Sequence, residues 1–267
     1  MSQQAERKES GYAKHPDYDV HFERSPKRVR AVFNGETIAD SLATELLFES
    51  RHIPVYYFPR ADVRMDLLQR TEHSTYCPFK GDAAYWSVNV GGRTAENAVW
   101  SYEAPYPQTA EIKDYVAFYW NRMDHWYEED EEVFVHARDP YKRIDIVRSK
   151  RPVKVVLGGH VVAESDDARF LFETGLPTRY YLPRGDVDMS VLAPSDTATQ
   201  CPYKGTAQYW SAEIDGESYP DIVWAYPDPI PEAGAIEDLL CFFNEQVDAI
   251  FVDGVEQPRP KTKWSKR

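Results

Sequence analysis

The chain has 267 residues, of which 42% are hydrophobic, 28% charged and 14% aromatic, enough apolar material for more than one domain of the usual size, roughly 100–200 residues. Its formal charge is -13, although the tail 259–267 holds five bases and no acid. A body this acidic repels phosphate backbones and anionic headgroups, which excludes broad nucleic-acid binding and docking on acidic membranes.

In chain order, the opening stretch MSQQAERKESGYAKHPDYD is polar and lacks the apolar core of a signal peptide. No later stretch approaches the roughly 20 apolar residues that a membrane-spanning helix needs. Cys77, Cys201 and Cys241 are too few and too scattered for a disulfide framework and form no Cys-x-x-Cys pair, so reduced thiols in a cytoplasm are expected. The first predicted elements are RVRAVF and ETIAD, flanking Asn34-Gly35, a dipeptide suited to the positive φ of a tight hairpin. A Tyr-Tyr strand follows at Tyr56. AAYWSVNV and AVWSY then flank Gly91-Gly92, with a loop longer than two residues expected between them. Short strands rich in Val, Tyr and Trp, punctuated by Pro and Gly, predict an antiparallel sheet. Ile112, Tyr115, Val116, Tyr119 and Met123 fall at helical spacing and predict an amphipathic helix that closes the unit.

The remainder repeats the beginning. At an offset of 124 residues, 29–127 matches 153–251 without a gap, and 35 of the 99 pairs are identical. YYFPRADVRMDLL (56–68) meets YYLPRGDVDMSVL (180–192), TYCPFKGDAAYWS (75–87) meets TQCPYKGTAQYWS (199–211), and VWSY (99–102) meets VWAY (223–226). The hairpins recur at Gly158-Gly159 and Asp215-Gly216, and the predicted helix recurs on Ile236, Leu239, Leu240, Phe243 and Val247. Units this long are a duplicated domain and not a solenoid, whose repeats are shorter. The fold class expected is mainly β (α+β): two homologous antiparallel β domains, each closed by a C-terminal helix. The expected division is 1–127 for the first domain, 128–152 for a connector, 153–256 for the second domain and 257–267 for a basic tail. Within the connector RSKRPVKV echoes RSPKRVRA of the first half, so the connector is expected to pack as the lead-in of the second domain.

Four clusters are candidates for chemistry. Arg60 and Asp62, with Arg184 and Asp186, follow the Tyr-Tyr strand; an Arg fork can clamp a carboxylate or phosphate, while the plainer reading pairs each Arg with its Asp at a turn. Thr-x-Cys-Pro-(Phe/Tyr)-Lys-Gly places Cys77 near Lys80 and Cys201 near Lys204. There a thiolate can be activated or an anion met by charge and backbone amides, against a plainer reading of a buried thiol with a solvated lysine. No His recurs beside either Cys, since Thr197 stands opposite His73, so a Cys-His nucleophile is not supported. Tyr85, Trp86, Trp100 and Tyr102 are mirrored by Tyr209, Trp210, Trp224 and Tyr226. Adjacent strand residues face opposite sides, so one ring of each Tyr-Trp pair is expected to leave the core, toward a flat ligand or a seam between the halves. Such a seam implies that the halves pack as a pseudo-twofold pair. His136, Arg138 and Asp139 in the connector read as a solvated link. No grouping shows metal-ligand spacing, no metal is expected, and Gly-x-Gly-x-x-Gly, P-loop and Gly-x-Ser-x-Gly motifs are all absent.

Taken together, the three matched motif pairs resemble the domain-of-unknown-function 427 family, also called nucleotidyltransferase-like, in its tandem two-domain form. The resemblance implies a compact, mostly β domain with a C-terminal helix, and relation to tent-like β folds in which two sheets meet over a ligand pocket. It implies no established reaction and no catalytic residues or cofactor. Many tent-like relatives carry zinc on paired Cys-x-x-Cys motifs, which this chain lacks. The leading expectation is a small-molecule pocket in each half for an anionic or planar metabolite, serving binding or an unknown reaction. The alternatives are a nucleotidyltransferase-like enzyme, which needs clustered carboxylates for magnesium, and a non-catalytic structural or interaction protein.

Overall fold

The computed structural model describes residues 9–265. The chain divides into two compact units, one ending at Asp139 and the other beginning at Pro140. In the first unit the strands are β1 (Val20–Arg24), β2 (Val29–Phe33), β3 (Glu36–Ser41), β4 (Glu45–Glu49), β5 (Val55–Pro59), β6 (Leu68–Cys77), β7 (Gly81–Val90), β8 (Arg93–Ser101), β9 (Tyr115–Phe118), β10 (His125–Glu128) and β11 (Glu131–Glu132). They form a seven-stranded sheet in the order β1-β4-β5-β9-β8-β7-β6 and a four-stranded sheet in the order β11-β10-β2-β3. Every pairing is antiparallel.

The second unit repeats this plan with β12 (Ile144–Ser149), β13 (Val153–Leu157), β14 (His160–Ser165), β15 (Ala168–Glu173), β16 (Arg179–Leu182), β17 (Leu192–Cys201), β18 (Gly205–Ile214), β19 (Glu217–Ala225), β20 (Leu240–Phe242), β21 (Ala249–Val252) and β22 (Val255–Glu256). The orders are β12-β15-β16-β20-β19-β18-β17 and β14-β13-β21-β22. The segment between the repeats is divided accordingly. Glu131 and Glu132 pair with β10, whereas Ile144–Ser149 pairs with β15.

In each unit the two sheets meet over one core. Val29, Ala31 and Phe33 of β2 point inward at alternate positions and pack with Tyr56, Phe58, Trp86, Val88, Val116 and Phe118 of the large sheet. The second core is built from the equivalent strands around Val153, Val155, Leu157, Leu182, Trp210 and Phe242. Alternation of this kind is what a half-buried strand requires. The hairpins form as their dipeptides dictate, with φ of 49° and 79° at Asn34-Gly35 and 58° and 76° at Gly158-Gly159. The β7–β8 loop is shorter than expected from sequence. Val90 and Arg93 pair directly across Gly91-Gly92, because the strand runs on through Arg93 to Asn97.

The closing helices do not form. Residues Pro107–Asp114 and Pro231–Ile236 are 3-10 turns, and the chain then enters β9 and β20, which lie between two other strands of the large sheet. Tyr-Val-Ala-Phe and Leu-Cys-Phe are continuous apolar runs because a central strand is covered on both faces, and short apolar runs satisfy helical and strand spacing alike. No α-helix occurs among the described residues, and no helix among them is long and apolar enough to cross a membrane.

Candidate functional site

The large sheet has a second face, away from the small sheet, and the alternation along β7 fixes what it carries. Trp86 points into the inter-sheet core, so Tyr85 points out. On this outer face Tyr85 joins Leu47, Tyr57, Tyr102, Ile112 and Ala117, with Cys77 and Trp100 packed against them. In the second unit Leu171, Tyr181, Trp224, Tyr226, Ile236 and Cys241 cluster with Cys201 and Tyr209. One outward ring in each unit is covered, Tyr85 at 4% and Trp224 at 7% exposure, while its neighbour, Trp100 or Tyr209, stays partly exposed. The 3-10 turns fold back over the face, burying Ile112 and Ile236 against it.

Polar groups run through this apolar cluster at the same positions in both units. Trp100 donates its indole N–H to the Tyr57 hydroxyl at 3.2 Å, and Trp224 donates to Tyr181 at 3.0 Å. The Thr75 and Tyr85 hydroxyls are 2.8 Å apart, as are those of Thr199 and Tyr209. Burial pushes the Tyr57 and Tyr181 phenols well above the ordinary tyrosine range. Lys80 is buried rather than solvated, and its ammonium is bound to the Glu49 carboxylate. Lys204 bonds Glu173 at 2.6 Å. Gly81 and Gly205 complete this turn with φ of 100° and 103°. A Cβ at Gly205 would stand 3.1 Å from the Asp228 carbonyl, so the glycine is required by backbone shape.

The glutamate has a second partner that differs between the units. In the first, the Tyr18 hydroxyl donates to Glu49 at 2.6 Å while its ring stacks on Phe79 at 3.5 Å. In the second, Lys142 stands 3.6 Å from Glu173. Burial opposes the Glu49 charge, but hydrogen bonds from Lys80 and Tyr18 outweigh it and hold the carboxyl below its ordinary range.

Arg60 and Asp62 do not pair with each other. Asp62 accepts a hydrogen bond from Ser41 at 2.6 Å, and Asp186 accepts one from Ser165 at 2.6 Å, tying the turn to the small sheet. Arg60 lies 5.0 Å over the Trp86 ring and donates to Ser101 at 3.1 Å; Arg184 lies 5.1 Å over Trp210. The predicted residues thus divide. Cys77, Lys80, Tyr85 and Trp100 share the outer face with Cys201, Lys204, Tyr209 and Trp224 as their counterparts, whereas Trp86 and Trp210 belong to the inter-sheet cores and carry Arg60 and Arg184. His136 turns its Nδ1 to the Ala137 carbonyl at 2.7 Å.

Sequence reasoning passed over Glu49 and Glu173, which hold the lysines, and the hydroxyls of Tyr57 and Tyr181. Both pairs are identical at the 124-residue offset, and a buried lysine demands a carboxylate partner, so that signal was present.

The two faces differ at their rim. Where the first unit has Val55, Asn121 and Tyr119, the second has Arg179, Glu245 and Phe243. Arg179 and Glu245 form a buried bidentate pair at 2.7 and 2.8 Å. Tyr119 is 42% exposed, leans on Trp100 at 4.7 Å and places its hydroxyl 3.4 Å from that of Tyr85. Exposed His73 rests against the Tyr85 ring at 4.5 Å.

Among the described residues no group of three or more His, Cys, Asp or Glu side chains is placed to hold a metal ion. A family model described as a domain of unknown function (DUF427) matches the chain twice, over residues 21–129 and 145–253. No functionally curated protein matches the chain.

Proposed function

We propose a binding function for each half of this chain, which belongs to the DUF427 family over both of its halves: the outer face of the large sheet takes a small planar ligand. The observation that carries this reading is the recurrence of seven side chains on one face. Glu49, Tyr57, Cys77, Lys80, Tyr85, Trp100 and Tyr102 return as Glu173, Tyr181, Cys201, Lys204, Tyr209, Trp224 and Tyr226. A purely structural cluster is built more cheaply from apolar residues, because a buried ion pair seldom improves on them. A patch of rings with a few convergent hydroxyls is the usual make-up of a small-ligand site.

The charge balance selects the ligand class. Lys80 and Lys204 are paired with Glu49 and Glu173, so neither of these recurring lysines offers an anion a free ammonium. A planar, hydroxyl- or amide-bearing metabolite fits better, stacked beside Trp100 and Tyr119 and hydrogen-bonded to Thr75 and Tyr85. Nucleotidyl transfer gains no support, since Glu49 and Glu173 are held by lysines and Asp62 and Asp186 by serines, and no carboxylate cluster for magnesium forms among the described residues. A reducing, cytoplasmic setting belongs to the same proposal, on the three free thiols.

A metabolite library screened by thermal shift tests the reading, with Tyr119→Ala and Thr75→Val as comparison proteins. Binders that shift the native chain and lose effect in these two variants are expected. If no compound shifts the chain, or shifts are equal in the variants, the reading fails.

A further inference from the structure

The segment after β22 crosses back over the second unit and is fastened at three points. Arg259 donates to the carbonyls of Val247 and Asp248, both at 2.8 Å. The Thr262 hydroxyl donates to Glu245 at 2.7 Å, and the Gln246 side chain donates to the Trp264 carbonyl at 3.2 Å. These contacts set the Trp264 ring 5.5 Å from the Arg179 guanidinium, which also lies 5.5 Å over the Trp224 ring. The guanidinium therefore serves both indoles, and Glu245 fixes its plane with two hydrogen bonds. Planar stacking on a held guanidinium is a favourable way to seat an aromatic ring.

The first unit has none of these parts. Val55 and Asn121 stand where Arg179 and Glu245 stand in the second, and Trp100 is only partly buried where Trp224 is 7% exposed. The residues that grip the tail are thus among those in which the two faces differ.

We propose that the C-terminal segment 259–265 is an internal occupant of the second face, with Trp264 in the place of a ligand ring, so that only the first face is open in the intact chain. This rests on reading the outer faces as ligand sites. The chemistry identifies what the second face accepts: an indole or similar flat ring accompanied by a hydrogen-bond donor that reaches Glu245, as Thr262 does.

The test compares the full chain with a chain ending at Glu256 by hydrogen exchange. Removing the tail is expected to lower protection in segments 179–182, 222–226 and 244–247 and leave the first unit unchanged. A synthetic peptide of residues 257–265 added in trans is expected to restore it. Full-length Trp264→Ala serves if the shortened chain does not fold, and the same segments are expected to lose protection. Unchanged exchange in a folded tail variant overturns the proposal. A library compound that binds the full chain once and the shortened chain twice supports both readings. Lost protection with no compound bound by either chain upholds the closure and defeats the ligand-site reading instead.

Discussion

Trp100 and Tyr57 are joined by an indole-to-phenol hydrogen bond of 3.2 Å, and 124 residues later Trp224 and Tyr181 repeat it at 3.0 Å. The bond links two strands of the large sheet across its outer face and gives the indole N–H an acceptor within an apolar cluster. Tyr57→Phe orphans the Trp100 N–H and is expected to cost about 1–3 kcal/mol, the penalty of a buried group left unpaired. Tyr181→Phe is expected to cost more than Tyr57→Phe, because Trp224 is the more buried indole. Calorimetric unfolding of the two variants measures both.

The lysine pairs are expected to respond unequally. Lys80→Met leaves the Glu49 carboxylate without its ammonium and is expected to destabilise the first unit by about 3–5 kcal/mol, as for other broken buried pairs. Lys204→Met is expected to cost less, since Lys142 already stands 3.6 Å from Glu173 and remains to balance it. Adding Glu49→Leu to Lys80→Met is expected to recover most of the loss, and denaturant titration of the double variant reads the recovery.

Stability is expected to fall in acid through Glu49 and Glu245. For both, burial opposes the charge, but hydrogen bonds outweigh it: Lys80 and Tyr18 for Glu49, Arg179 and Thr262 for Glu245. Their folded-state pKa values lie below the unfolded value of about 4.3. The stabilisation is then complete above that pH and is lost as pH drops through the lower folded-state values. Melting temperatures from pH 7 to acid record the loss, and the decline is expected to be shallower in Glu245→Gln.

Arg60 and Asp62 are expected to behave as separate residues. Asp62→Ala removes the acceptor of the Ser41 hydroxyl and is expected to cost about 1–3 kcal/mol. Arg60→Ala removes a partly exposed cation over Trp86 and is expected to cost about 0.5–1 kcal/mol. Neither is expected to change ligand affinity, which a titration of any library binder checks.

Much of this was legible in the residues. The duplication is visible as ungapped identity, and the hairpins follow from Asn34-Gly35 and its counterpart, because few dipeptides adopt two consecutive positive φ values. The opposed directions of Tyr85 and Trp86 follow from strand geometry alone. What covers the outward ring was not legible: 3-10 turns starting at Pro107 and Pro231 return the chain over the face, a long-range event with no local signature. The helices were misread because a strand buried on both sides loses its alternation. The Lys80–Glu49 contact joins positions 31 apart in sequence, and only the recurrence of Glu49 as Glu173 hinted at it.

The claim at the centre of the account is that the ligand site lies on the outer face of the large sheet. The chain has seven tryptophans, and two of them divide the first unit's faces, Trp86 inward and Trp100 outward. Fluorotryptophan NMR of the chain titrated with library binders reads both at once. The account predicts that the Trp100 resonance moves while Trp86 holds still. Movement of Trp86 with Trp100 unchanged, or no movement of either by any compound, would contradict it.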